Sequence, residues 1–194
     1  MVINSENAAL EAQMRECYGR VVWTHKTHEK CADILNKRLN WIKSAQIILS
    51  AIITTGILVT IFGKYQLVGI ITAILSFLLT LANTYLKQYD LGGMAQKHAD
   101  AAISLWKIRE DYLSILTDLQ SNSADYQALG EKRNSIQSDL FKIYKGSPRT
   151  FSKAYNKASF ALKNQEELTF SDEEIDKFLP KPLRKSNKQD TQSV

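Results

Sequence analysis

Apolar positions recur with a helical period along most of the chain, except across 44–86, where polarity almost disappears. Positions 44–63 and 67–86 are each twenty uncharged residues, with ten and eleven Ile, Leu, Val or Phe, and Lys64 is the single charged residue between 44 and 86. At about 1.5 Å per residue, each stretch makes a helix about 30 Å long, the thickness of the hydrocarbon core of a bilayer. Both are apolar on every side, and the remaining sequence is too polar to wrap them as core helices of a soluble domain. The turn at 64–66 is short enough to require antiparallel neighbours. The pattern predicts a transmembrane hairpin.

Upstream, residues 8–43 contain no Pro and one Gly, and Tyr18, Val21, Val22, Ile34, Leu35, Leu39 and Ile42 recur at steps of three, four and seven. This predicts one helix of about fifty residues running straight into the first span. Downstream, Ala95, Ala102, Leu105, Ile108, Tyr112, Ile115, Leu116 and Leu119 predict a second arm continuous with the second span. A third cytoplasmic helix over 124–145 should turn Tyr126, Leu129, Ile136, Leu140 and Ile143 inward. Gly146-Ser147-Pro148 reads as a helix end, an N-cap and the first position of the next helix, which carries Phe151, Tyr155, Ala158 and Leu162. Ser171-Asp172-Glu173-Glu174 is a capping box before a short helix that Pro180 stops. The expected fold is all-α, a two-helix transmembrane hairpin continuous with long cytoplasmic helices that form a small bundle. Its parts are an N-terminal helix (1–43), the spans (44–63 and 67–86) with their turn, a helical region (87–179) and a disordered basic tail (180–194).

Composition sharpens this picture. The 194 residues carry a net charge of +5, mixed in sign along the chain, which excludes a chain that mainly binds nucleic acid. Lys26, Lys30, Lys37, Arg38 and Lys43 precede the first span, and Lys87, Lys97, Lys107 and Arg109 follow the second. The positive-inside rule therefore places both termini in the cytoplasm of a multi-pass inner-membrane protein, with Trp41, Tyr85 and Tyr65 as interface anchors. No apolar signal-peptide core precedes the first span. Cys17 and Cys31 lie about 21 Å apart along one helix, too far for a disulfide.

Several groups could carry function. In the second span Gln66, Gly69, Ala73, Ser76, Thr80, Asn83 and Lys87 are spaced alternately by three and four, so they share one small or polar face. That face is either a helix-packing seam, within the hairpin or between protomers, or the lining of a wet path in an oligomer. Ser50, Thr54, Thr55, Gly56 and Thr60 of the first span point to the hairpin contact. Gly92-Gly93 stands for tight packing or for a hinge coupling cytoplasmic movement to the spans. Arg149, Lys153 and Lys157, four apart on one helix face, are either simply solvated or touch lipid headgroups or phosphates. His25, His28, Glu29 and Cys31 form the one cluster of chemical residue types, but the order is not that of a zinc helix, and hydrogen-bonded imidazoles on a partly buried face fit better. No nucleophile with its base, phosphate-cradling loop or Cys/His ribbon is present, so the sequence predicts no enzyme, cofactor or metal.

Residues 18–35 (YGRVVWTHKTHEKCADIL), the short-turned hairpin and residues 151–180 (FSKAYNKASFALKNQEELTFSDEEIDKFLP) resemble the SLATT family. These are two-transmembrane effector domains associated with nucleotide-generating and nucleotide-sensing modules in bacterial conflict systems. The likeness covers roughly residues 10–180, and no catalytic motif comes with it. It implies a homo-oligomeric effector that forms a pore or disrupts the membrane in antiviral defence. The implied trigger is a cytoplasmic signal, such as a nucleotide messenger from a nucleotidyltransferase or sensor encoded nearby. The competing expectation is a membrane-anchored scaffold that recruits a cytoplasmic partner without opening a pore. The lipid bilayer is a partner in either case, and nucleic acid is not.

Overall fold

A computed structural model describes residues 5–63, 65–121, 125–180 and 184–185. It contains six helices and, among the described residues, no strand: α1 (Ser5–Gly63), α2 (Gln66–Gln88), α3 (Leu91–Ser121), α4 (Tyr126–Gly146), α5 (Ser152–Asn164) and α6 (Asp172–Phe178). Ser121-Asn122-Ser123 is expected to end the second arm; Asn122 and Ser123, like Lys64 and most of the expected basic tail, lie outside the described residues.

The spine of the molecule is α1, 59 residues long. Its C-terminal part packs against α2, its N-terminal part against α3 and α5, and α4 lies on α3. Hydrophobic burial concentrates in the lower half. Leu10, Met14, Cys17 and Val21 of α1 meet Leu105, Ile108, Tyr112 and Ile115 of α3, and Leu129 and Ile136 of α4 close the cluster. The upper half is different. Within 44–86, only Ile53 and Thr72 are buried among the described residues, while Ile47, Ile52, Leu58, Ile70, Phe77 and Leu81 stand exposed. A soluble fold would not leave so much apolar surface in water. Two helices are long and apolar enough to cross a membrane, and the bilayer supplies the missing burial. This is a membrane protein.

The hairpin seam has the rhythm of two helices interlocking. On α1, Ile42, Ala45, Leu49, Ile53, Gly56 and Thr60 are buried or half-buried. On α2, Val68, Thr72, Leu75, Leu79, Ala82 and Leu86 are. Steps of three and four keep both rows facing each other along the span. Gly56 is needed for the closest approach, because a Cβ there would collide with the Thr72 hydroxyl. That hydroxyl cannot move away freely, since it donates to Val68 O (2.8 Å) and sits on a β-branched side chain. Gly56→Ala is therefore expected to cost about 1–3 kcal/mol, read as a lowered melting midpoint in detergent. Gly69→Ala, whose Cβ would lie 3.1 Å from Thr60 Cγ2, should cost less; equal melting of Gly56→Ala and the native chain would refute this seam.

Four local expectations need correction. The second arm is not continuous with its span, because the helix stops at Gln88 and restarts at Leu91. Asp90 causes the restart: its carboxylate accepts from Gly93 N (2.8 Å) and its carbonyl from Met94 N (3.0 Å), the geometry of an N-cap. Ser147 does not cap α5 and Pro148 does not begin it. Ser147 Oγ donates back to Ile143 O (2.7 Å), and the helix starts four residues later behind Phe151. The buried face of α5 is Ala154, Ala158 and Ala161, small residues that allow close packing on α1, whereas Tyr155 is half exposed. Tyr126 also faces outward, while Leu129 and Ile136 are buried. The Ser171 capping box is present as read, with Glu174 N donating to Ser171 Oγ and Ser171 N to Glu174 Oε2.

Candidate functional site

Two regions carry polar chemistry: the face of α2 and the junction of α1 with α3 below the membrane. On α2, Ala73, Ser76, Thr80 and Asn83 are exposed. They lie about 100° around the helix from the hairpin seam, so the stripe borders that seam instead of filling it. Gly69, half-buried, meets Thr60, and Asn83 Oδ1 accepts from Gln46 Nε2 (2.8 Å); these two touch α1. Thr80 donates to its own helix at Ser76 O (3.0 Å). In the first span Gly56 and Thr60 belong to the hairpin contact, but Ser50, Thr54 and Thr55 are exposed and donate to carbonyls one turn back.

Gly92 and Gly93 occupy the first turn of α3, directly after the non-helical residues Tyr89 and Asp90. A Cβ on Gly93 would run into the Asp90 carboxylate, so the glycine is what lets Asp90 cap the helix. A Cβ on Gly92 would touch Leu39 of α1 at 3.4 Å. Arg149 precedes α5, beside Thr24, His28 and Tyr144, whereas Lys153 and Lys157 on α5 border a hollow shared with Lys30 and Asp33. All three are exposed. They do not share one helix face, because α5 begins later than the Ser-Pro signal implies.

The α1–α3 junction gathers all three histidines of the chain. His28 Nδ1 lies 3.0 Å from His98 Nδ1, one donating and the other accepting. His25 Nδ1 donates to Ala102 O (2.9 Å). Burial, reinforced by His98 and His25, pushes the His28 imidazole down to about 4, and burial lowers His98 as well. Phe151 stands edge-on to His98 and closes that side. Cys17 and Cys31 are both buried and free. Burial raises the Cys31 thiol against an opposing hydrogen bond to the Phe151 backbone. Such a thiol is a poor nucleophile at neutral pH.

Beside the histidines, Lys26 is buried yet ionically satisfied. Its ammonium bonds Glu29 Oε2 (2.7 Å) and Glu167 Oε2, and Lys30 Nζ reaches Glu167 Oε1 at 3.2 Å. Burial alone would lower the Lys26 pKa; the bonds from Glu167 and Glu29 outweigh it and leave the value raised. Glu167 is held low by the Lys26 hydrogen bond first and Lys30 after it. Sequence reasoning found His25, His28 and Glu29 but missed His98 and Glu167. The signal for His98 was its place in the α3 stripe, three residues from Ala95 and four from Ala102. Glu167 had no signal, since nothing local marks a carboxylate that returns across 137 residues.

No curated protein and no solved structure matches the chain. One protein-family model does, across residues 10–174. That stretch takes in the helical arms, both apolar spans and the α6 capping box. An apolar two-helix hairpin set on a helical bundle agrees with what the matched description names, and the chain belongs to the SMODS and SLOG-associating 2TM effector domain family 4.

Proposed function

We propose that the protein is an effector of an anti-phage conflict system that assembles with copies of itself in the inner membrane. On a cytoplasmic signal it opens a poorly selective path, and the cell arrests or dies. The observation that supports this reading is the exposed stripe of Ala73, Ser76, Thr80 and Asn83 next to an already complete hairpin seam. In lipid, small residues and hydroxyls favour contact with another helix, and the seam partner is already in place, so a second protomer is the natural cover. A lumen built on these side chains carries no fixed charge at depth and discriminates poorly among ions. Lysines and arginines flanking both spans favour an orientation with both termini in the cytoplasm. The signal then reaches the arms first, and the Tyr89–Asp90 interruption with Gly92-Gly93 is the site where their movement passes to α2. The partners in this reading are further copies of the chain and a neighbouring nucleotidyltransferase or sensor.

The test is a membrane-potential dye in cells expressing the protein with its genomic neighbours. Triggering is expected to depolarise the native strain, and Ser76→Leu/Thr80→Leu, both exposed positions, should stay in the membrane yet lose depolarisation and arrest. Arrest that survives replacement of the hairpin by an unrelated two-span hairpin would overturn the pore reading in favour of an anchor.

A further inference from the structure

Lys26 is 8% exposed, and a buried ammonium needs an anion beside it. The anion it has is unusual in how it is supplied. Glu167 sits in the irregular link between α5 and α6, and its two neighbours are in the left-handed region, Glu166 at φ 50° and Leu168 at φ 78°. For side chains other than glycine, that conformation costs about 1–2 kcal/mol per residue. Besides the Glu167 amide, which donates to Ala161 O (3.1 Å), and the half-buried Leu168, little else holds this stretch, since α6 buries no residue and Phe170 and Phe178 are exposed. The clasp on Lys26 and Lys30 therefore carries a strained loop and a loosely seated helix.

The clasp borders a cleft of about 780 Å³ between α1 and α3, lined by Lys26, Glu29, Asn36, Trp106, Arg109 and Leu168. Trp106 is half exposed and offers an apolar ring and Asn36 an amide, while the Arg109 guanidinium at the rim is held by Glu110 (2.7 Å). A cleft of this size with convergent polar groups suits a small molecule. Withdrawing Glu167 removes the anion that both ammonium groups share, leaving Glu29 on Lys26 and Asp33 at the edge of both hollows.

We propose that Lys26, which lines this cleft, and Lys30, which lines the neighbouring hollow that shares Asp33 with it, form a binding site for an oxyanion, a phosphate or carboxylate group of a small ligand, and that the chain's own Glu167, which bridges the two lysines, is its resident stand-in. An arriving anion displaces Glu167, relaxes the loop and frees residues 165–180 from α1. This does not depend on whether the hairpin opens a path.

The full chain in lipid nanodiscs tests it, with inorganic pyrophosphate and citrate as separate probes followed by calorimetry and by amide hydrogen exchange over 165–180. Pyrophosphate or citrate is expected to speed exchange there at least threefold. Glu167→Gln should show the faster exchange without any anion and bind the effective probe at least tenfold more tightly than the native chain. Lys30→Gln, at a less buried position than Lys26, should weaken that binding at least tenfold without unfolding the bundle. A response to pyrophosphate alone identifies a phosphate ligand, and a response to citrate alone a carboxylate. If neither probe binds Glu167→Gln, or if Glu167→Gln and the native chain bind equally, the proposal fails.

Discussion

Tyr112→Ala is expected to destabilise the helical bundle by about 3–5 kcal/mol, the usual loss when a fully buried aromatic is truncated. Tyr112 is the largest fully buried side chain and lies in the core shared by α1, α3 and α4. Its hydroxyl, by contrast, contributes little. It is buried with no hydrogen-bond partner other than the weak Cys17 thiol beside it, whose sulfur already accepts from Arg20 (3.3 Å). Burial, with Cys17 alongside, pushes the phenol up to about 12, so it stays protonated across the accessible pH range. Tyr112→Phe keeps the ring and removes a poorly paired polar group, so it should leave stability unchanged or raise it by about 1 kcal/mol. Urea unfolding in detergent, followed by tryptophan fluorescence, separates the two variants. Equal losses for Ala and Phe would mean that the hydroxyl holds a partner and that this description of the core is wrong.

The second large effect is a loss of stability on mild acidification. His28 is neutral in the folded protein and titrates at about 4, against 6.5 for an unrestrained imidazole. Below 6.5 the unfolded chain takes up a proton that the folded chain refuses, so stability is complete above pH 6.5 and falls as pH drops toward 4. A difference of that size is worth on the order of 3 kcal/mol by pH 4, or a melting midpoint on the order of 10 °C lower for a bundle this large. His98, which shares the buried hydrogen bond and is also lowered, adds in the same direction. The lowered Glu167 carboxylate acts in a different window, because its contribution is present above 4.5 and declines only below it. A melting midpoint that falls between pH 6.5 and 5 therefore reports the imidazoles. His28→Leu should remove most of that slope, and a flat profile for the native chain over the same interval would contradict a buried neutral pair.

The hairpin and the helices were legible in the chain because each depends on a local property. Twenty uncharged residues match the bilayer whatever surrounds them, and a three-four rhythm marks a helix without reference to its partner. The capping box at Ser171 is equally local, two side chains and two amides within four residues. Where two local signals competed, the sequence alone was ambiguous: the Asp90 carboxylate took the Gly93 amide that a continuous helix would have bonded to Tyr89 O, and Ser147 turned back to Ile143 instead of forward.

Facing and partnership came only with the tertiary structure. Periodicity placed Gly69, Ala73, Ser76, Thr80 and Asn83 on one side of α2, but the crossing of α1 and α2 decided that the larger seam residues beside them make the hairpin contact. The His28–His98 pair joins positions 70 residues apart, and the Lys30–Glu167 pair joins positions 137 apart. A charge or an imidazole in the sequence states what it can bond, whereas the packing of distant helices fixes what it meets, because burial leaves each such group only the partners that the fold brings within about 3 Å.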